Sequence, residues 1–256
     1  MSTLIRDYER FAKEANEICK GRVYTDHLRR YAYGVDASCY SYLPKVVVKA
    51  EDEREVRRLI RLCQQCGTPF TFRAAGSSLS GQCSSEDVLI VCNDGFKKME
   101  VIDDGKALKC ECGVIGSDAN DLLKPYNRKI GPDPATLATA LVGGILNNNS
   151  SGMCCGTAQN SYKTIRSIRV VLLDGSILDT SDQKSIDQFL KEKPQMVEDI
   201  LQLRKDILAD EELTHLIHHK YKIKNTTGYG LNSLVDFEDI IDIINHLFIG
   251  SEGTLG

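Results

Sequence analysis

No stretch of this sequence stays apolar for long. The longest nearly apolar segment, Ala138 to Leu146, falls far short of the ~20 residues a spanning helix needs, so no membrane span is expected. The first residues, Met1-Ser-Thr-Leu-Ile-Arg-Asp7, run into charge at once and lack the apolar core of a secretory leader. The expected location is cytoplasmic, or peripheral at the inner face of a membrane. An excess of one charge sign is lacking too: 32 Lys+Arg against 36 Asp+Glu gives a formal net charge of −4. So mildly acidic a chain is a poor general polyanion binder, and nucleic acid is not an expected partner. Internal repeats and low-complexity tails are missing. So is a paired CxxC array, although there are ten cysteines. Without a leader, reduced thiols are the expectation. Cys63 and Cys66 form a single CxxC inside a helical pattern that Gly67 closes, which fits helix thiols packed in a core. His215, His218 and His219 recur at helical spacing without further oriented ligands, so they read as a charged helix surface and no metal site is expected. No Ser-His-Asp or Cys-His arrangement stands out, and no residue can be named as catalytic.

What is present suits a soluble globular protein. The hydrophobic fraction is 42% and the charged fraction 27%, and 256 residues suffice for one large domain or two small ones. Residues 3–20 read as an amphipathic helix through Leu4, Tyr8, Phe11, Ala12, Ala15 and Cys19. A Tyr-rich loop, 29–42, follows. A β-α-β pattern then runs through 46–48, 51–66 and 69–73, with a further strand at 88–92. Hairpins are expected around Asp103-Asp-Gly105 and Asp174-Gly175, a helix over 117–126, an irregular block over 131–157 and mostly helix over 185–220. This mixture predicts an α+β fold. The expected organisation is an N-terminal helix and lead-in, 1–40, then a body, 41–256, of two subdomains at about 41–115 and 116–256.

Three segments carry chemistry. The first, Arg73-Ala-Ala-Gly-Ser-Ser-Leu-Ser-Gly-Gln82, directly follows a strand. Its small residues admit a ligand close to the backbone, and successive N–H groups can converge on one anion. Serine hydroxyls add donors and Arg73 a charge, so pyrophosphate binding is suggested. Gly76 and Gly81 have P-loop spacing, but Gln82-Cys83 stands where Lys-Ser/Thr is required, and GxGxxG is absent. The second segment is Gly131-Pro-Asp-Pro-Ala-Thr136 followed by Gly143-Gly-Ile-Leu-Asn-Asn-Asn-Ser-Ser-Gly152. Rigid prolines, close-packing glycines and neutral amides would suit a ring with mixed polar edges; a turn and a capped helix would read the same way. The third is Ile249-Gly-Ser-Glu-Gly-Thr-Leu-Gly256, another candidate for close backbone approach or else a flexible tail.

These segments, in this order, together with Tyr33-Gly-Val-Asp-Ala-Ser38 and Val170-Val-Leu-Leu-Asp-Gly175, resemble the FAD-binding domain of the flavin-linked oxidases that include vanillyl-alcohol oxidase and p-cresol methylhydroxylase. The likeness is strongest to the D-lactate, glycolate and D-2-hydroxyglutarate dehydrogenase group, and it extends from about Asp26 onward. Met153-Cys-Cys-Gly156 resembles the long members that carry an iron–sulfur domain after the flavin part. The resemblance implies a PCMH-type fold of two α+β subdomains holding FAD, and oxidation of a small hydroxy acid to a 2-oxo acid with an external electron acceptor of unknown identity. Carried over, Ala74, Ala75, Gly76, Ser77 and Ser78 would cradle the pyrophosphate, with Arg73 beside them and Gly81 and Gln82 near the flavin. Pro132, Asp133, Thr136, Gly143, Gly144, Asn148 and Ser151 would line the isoalloxazine and ribityl region. Gly152 and Gly156 would let the backbone pass close. Ile249, Gly250, Glu252, Gly253, Thr254 and Leu255 would approach the adenosine or ribityl end. No histidine lies between Arg73 and Gln82, so non-covalent FAD is expected. The sequence ends inside a motif that members of the group follow with a substrate-capping domain. A fragment without that cap is therefore expected, with any iron–sulfur cluster confined to the missing part. A nucleotide-binding or structural module without redox chemistry is the alternative.

Overall fold

The computed structural model of the chain describes residues 6–226 and 228–256. It divides into two units. The first holds residues up to Ile130 together with 136–144 and 173–175; the second holds 131–135, 145–172 and 176–256.

The first unit is built on a four-stranded sheet. Helix α1 (Tyr8–Ile18) starts where the Asp7 carboxylate accepts from Arg10 N–H at 2.9 Å, and it buries Phe11 and Ala15. Leu4, the first apolar position of the expected helix, lies outside the described residues. Strand β1 (Val23–Tyr24) and helix α2 (His27–Ala32) follow. Helix α2 falls partly in the segment expected to be loop. It buries no residue, so it has no apolar periodicity to read, and its start is fixed by Asp26 accepting from Arg29 N–H at 3.0 Å. Strand β2 (Val46–Lys49), helix α3 (Glu53–Cys66), strand β3 (Phe70–Arg73) and strand β4 (Val88–Val91) realise the expected β-α-β pattern and its extra strand. Helix α3 is capped by Asp52 and closed by Gly67 at φ +64°, the left-handed conformation that glycine adopts most cheaply. The sheet order is β1-β2-β4-β3, with β4 parallel to both neighbours. Val46, Val47, Val48 and all four residues of β4 are buried, as continuous apolar runs in parallel strands require.

Strands β5 (Met99–Ile102) and β6 (Ala107–Cys110) form the first expected hairpin, and helix α4 (Gly116–Leu123) follows. Helix α4 belongs to the first unit, so the division does not fall after residue 115. The cause is local: Ile115 bridges Leu141, Gly116 N–H donates to Ala140 O at 3.0 Å, and Ser117 N–H donates to Leu137 O at 3.0 Å. Helix α5 (Val142–Asn148) lies in the block expected to be irregular, and the division falls within it, after Gly144. Its two glycines are poor helix formers, and the helix is the one that the sequence left open as an alternative after the turn.

The second unit continues with helix α6 (Ser161–Thr164) and the hairpin of β7 (Arg169–Val171) and β8 (Ile177–Asp179). The helical stretch expected over 185–220 resolves into α7 (Gln183–Glu192), α8 (Pro194–Ala209) and α9 (Glu211–Lys220). Pro194 opens α8 at its first position, and the Asp210 carboxylate caps α9 by accepting from Leu213 N–H at 2.9 Å. Helices α10 (Ser233–Asp236) and α11 (Ile240–Leu247) complete it. Two apolar clusters hold the unit together. One joins Leu172, Leu178, Phe189, Ile244 and Phe248; the other joins Ile207, Ile217, Leu234 and Ile243.

Candidate functional site

The expected site residues fall into two groups, one in each unit. In the first unit, β3 and β4 are parallel neighbours, so the chain must cross over between them. Such a crossover is usually a helix, whose N–H groups would be consumed internally. Here it is the helix-free segment 74–87. Among the described residues, no hydrogen bond engages the main-chain N–H of Ala74, Ala75, Gly76, Ser77 or Leu79, while that of Ser78 turns to the Cys83 sulfur.

The loop is nonetheless braced. Arg73 donates from Nη1 to Tyr33 O at 3.1 Å and from Nη2 to Val35 O at 2.8 Å, and its guanidinium lies 5.9 Å from the Tyr33 ring centroid. Its donors thus face the protein's own carbonyls. Gly76 sits over that guanidinium at φ +77°, where a Cβ would come within 2.3 Å of Nη2. Its carbonyl accepts from Ala37 N–H at 3.2 Å. Gly81, at φ +80°, lies where a Cβ would meet the Tyr40 ring at 2.8 Å. Ser78 Oγ donates to Gln82 Oε1. Asp36 accepts from Ser38 N–H at 2.8 Å and from the Cys83 thiol at 3.3 Å. Burial opposes the ionised form of Asp36, but these bonds outweigh it and hold the carboxyl below its usual range. The start of α5 joins this group: a Cβ on Gly144 would reach Ala74 Cβ at 3.4 Å, and one on Gly143 would reach Cys112 Cβ at 2.7 Å. Thr136 is exposed and forms a turn, its carbonyl accepting from Thr139 and Ala140 N–H at 2.8 and 2.7 Å.

In the second unit, Pro132 is buried and Asp133 is a hub. The Asp133 carboxylate accepts from the N–H groups of Gly152, Cys154 and Cys155 at 2.9, 3.0 and 3.1 Å. A hydrogen bond from the Cys155 thiol and those N–H groups outweigh partial burial and hold Asp133 well below the usual carboxylate range. Gly152 is obligatory, because a Cβ there would lie 1.9 Å from Asp133 O. Gly156 has φ +52° but open space around it. Ser151 is 7% exposed, and its buried Oγ has no hydrogen-bond partner.

The side-chain amides of Asn148 and Asn149 bond within the protein. Asn148 donates to Glu252 Oε1 at 2.6 Å, and Asn149 donates to Asn225 O at 3.2 Å. Asn147, which the motif reading did not single out, organises the C-terminal loop. Its Oδ1 accepts from Ser251 Oγ at 3.0 Å and Gly253 N–H at 2.9 Å, while its carbonyl accepts from Glu252 N–H at 2.9 Å. Gly250 N–H donates to Leu146 O at 3.1 Å, and Thr254 Oγ1 donates to Ser251 O at 2.7 Å. Ile249 is buried and Leu255 packs on the Phe248 cluster. The sequence signal for Asn147 was its place in the three-asparagine run; its partners are a hundred residues away.

The thiols show no disulfide among the described residues. Burial pushes the Cys63 thiol up to about 12, which fits a packed core rather than a reactive centre. No cluster of three or more metal-ligating side chains occurs among the described residues, and no helix there is long and apolar enough to cross a membrane.

Known proteins bear on this arrangement. D-2-hydroxyglutarate dehydrogenase of Haemophilus influenzae is 23% identical over 244 residues, covering 92% of this chain and 24% of that protein. Glycolate oxidase subunit GlcD of Bacillus subtilis is 26% identical over 164 residues, covering 62% of this chain and 34% of that protein. The chain thus spans about a quarter of the length of the D-2-hydroxyglutarate dehydrogenases it matches. Among solved structures, an alkyldihydroxyacetonephosphate synthase shares the fold with a TM-score of 0.58 at 19% identity, over 70% of this chain and 37% of that one. Residues 44–181, more than half of the chain and including the helix-free crossover, match the family described as FAD binding domain. The chain belongs to that family.

Proposed function

We propose that this chain is the FAD-binding part of a flavin-dependent dehydrogenase that oxidises a D-2-hydroxy acid, of the lactate, glycolate or 2-hydroxyglutarate type, to the 2-oxo acid. The observation that carries the reading is the run of unengaged amides over 74–77, on a loop braced from beneath. An anion is the natural partner for such a run, and small side chains leave the approach open. The cradle suits a diphosphate, held non-covalently because no histidine stands in the loop. Bound FAD would supply the hydride acceptor at flavin N5. Arg73 positions the loop through the carbonyls of Tyr33 and Val35. Gly76 and Ser77 present donors, with Ser78 beside them bonded to Gln82. In the second unit, Asp133 and Asn147 hold the 152–155 and 250–254 segments in the shapes that would meet the cofactor. The substrate type rests on the printed names of the relatives, and an external electron acceptor is preferred to oxygen on the same likeness.

The test is addition of FAD. At about a hundredfold excess over Kd, a ligand of the folded state adds roughly 2.7 kcal/mol, or a Tm rise of about 5–10 °C for a chain of this size. FAD should raise Tm and quench flavin fluorescence, while NAD should do neither. Equal responses to both, or to neither, would contradict the reading. For substrate, the longer enzyme that contains this chain should reduce an artificial dye with one of D-lactate, glycolate or D-2-hydroxyglutarate.

A further inference from the structure

The amide cradle of the first unit has an aromatic neighbour. Segment 33–42 runs along the 73–83 loop and is tied to it at three places. Arg73 donates to the carbonyls of Tyr33 and Val35, and Ala37 N–H donates to Gly76 O at 3.2 Å. Further on, Tyr40 packs against Gly81, where a Cβ would come within 2.8 Å of the ring. The segment is also braced within itself. Val35 bridges Ser41, Tyr42 N–H donates to Gly34 O at 2.8 Å, and Tyr40 N–H donates to Ser38 Oγ at 3.1 Å. On this support stand two near-parallel rings: the centroids of Tyr40 and Tyr42 are 6.3 Å apart, with 19° between the planes. Both residues are exposed, Tyr40 by 49% and Tyr42 by 37%. Leu79, in the cradle loop itself, is 79% exposed. Among the described residues, neither phenol oxygen forms a hydrogen bond. Apolar side chains scattered singly over a surface need no explanation. A braced tyrosine that touches the loop carrying the unspent amides is a different case, because a rigid aromatic wall beside a few polar donors is what holds a flat ligand.

We infer that Tyr40 is a platform on which one of the dinucleotide's two flat rings, adenine or isoalloxazine, stacks when its diphosphate lies on the amides of 74–77. Each ring is joined to the diphosphate by a single five-carbon sugar or sugar-alcohol link, so each must come to rest close to the cradle. Tyr40 meets that loop at Gly81, four residues beyond Ser77. Its ring loses little freedom on binding, because Tyr42 and Gly81 already hold it. The contact is made by the ring and needs nothing from the hydroxyl. The inference rests on the flavin reading and adds to it a residue outside the segments assigned to the cofactor.

The test titrates the full chain and its Tyr40 variants with FAD, ADP and inorganic pyrophosphate, read by the amide shifts of Gly76 and Ser77. Tyr40→Leu keeps an apolar side chain against Gly81 and should bind FAD at least about fivefold more weakly, as the loss of a stacked ring does. Tyr40→Phe keeps the ring and should bind FAD within about twofold of the parent. Pyrophosphate has no ring and should bind the parent and Tyr40→Leu alike. ADP assigns the ring: if Tyr40→Leu weakens ADP as it weakens FAD, adenine is the stacked ring, and if ADP binds unchanged, isoalloxazine is. The inference is overturned if Tyr40→Leu binds FAD as the parent does. It is equally overturned if Tyr40→Leu loses pyrophosphate as much as FAD, which would make Tyr40 a support of the cradle and not a platform. Failure of the parent to bind FAD would sink the flavin reading and this inference together, whereas FAD bound equally by the parent and by Tyr40→Leu would sink the inference alone.

Discussion

At the scale of single residues, two glycines four positions apart are predicted to behave very differently. A Cβ at position 152 would lie 1.9 Å from a backbone oxygen, whereas Gly156 faces open space and only its φ of +52° resists substitution. Gly152→Ala should therefore cost about 2 kcal/mol or more, because backbone must move. Gly156→Ala should cost no more than about 1 kcal/mol. Urea unfolding of the two variants ranks them, and equal losses would contradict the geometry. Asp133, which packs against Gly152, has a pH signature. Its folded-state value is lowered, so its contribution is complete above the ordinary carboxylate value near 4 and is lost as pH falls through the lowered one. The parent should lose stability progressively below about pH 4. Asp133→Asn should already be weaker at pH 7 and show a shallower acid slope, measured as urea midpoints across that range. The importance of Asp133 was legible in Gly131-Pro-Asp-Pro134 as a rigid turn. Its actual partners, the amides of 152–155, were not, because nothing local specifies which distant N–H groups a carboxylate will gather.

Elements differ in how much of themselves they show in sequence. The two hairpins are readable because their turns are local chemistry: Gly105 and Gly175 adopt φ +83° and +77°, as the Asp-Gly signals demand. Helix α3 is readable from its apolar positions and its closing Gly67. Helix α2 buries nothing and α5 carries two glycines in its first turn, so neither presents a clear apolar pattern; α2 is started by the local Asp26 cap. The C-terminal loop is the sharpest case. Its Gly250-Ser-Glu-Gly-Thr254 text suggested close approach, but what shapes it is Asn147 at the end of α5. Asn147→Ala should remove the acceptor for Ser251 Oγ and Gly253 N–H, at a cost of about 1–3 kcal/mol. Hydrogen exchange should accelerate at 251–254 while the far-ultraviolet dichroism stays that of the parent. Unchanged exchange there would show that the loop is held by something else.

At the scale of the molecule, the α+β class follows from the order of strands, hairpins and helices and was readable; the expectation of two subdomains came from the family resemblance. The point of division was not readable, because the bridge of Ile115 to Leu141 ties α4 back to the first unit across sequence that reads as a boundary. The functional consequence of the topology lies in one connection. Parallel β3 and β4 must be joined by a crossover, and this chain makes it without a helix, leaving the amides of 74–77 unspent at the end of a strand. A helix in that place would have used the same groups in its own ladder. Amide-resolved hydrogen exchange over 74–79, with and without FAD, tests this most directly. Exchange should be fast at Ala75, Gly76 and Ser77 in the free chain and at least tenfold slower once FAD is bound. If FAD binds, as shown by quenched flavin fluorescence, and those amides exchange as fast as before, then the cofactor is held elsewhere and the central claim fails.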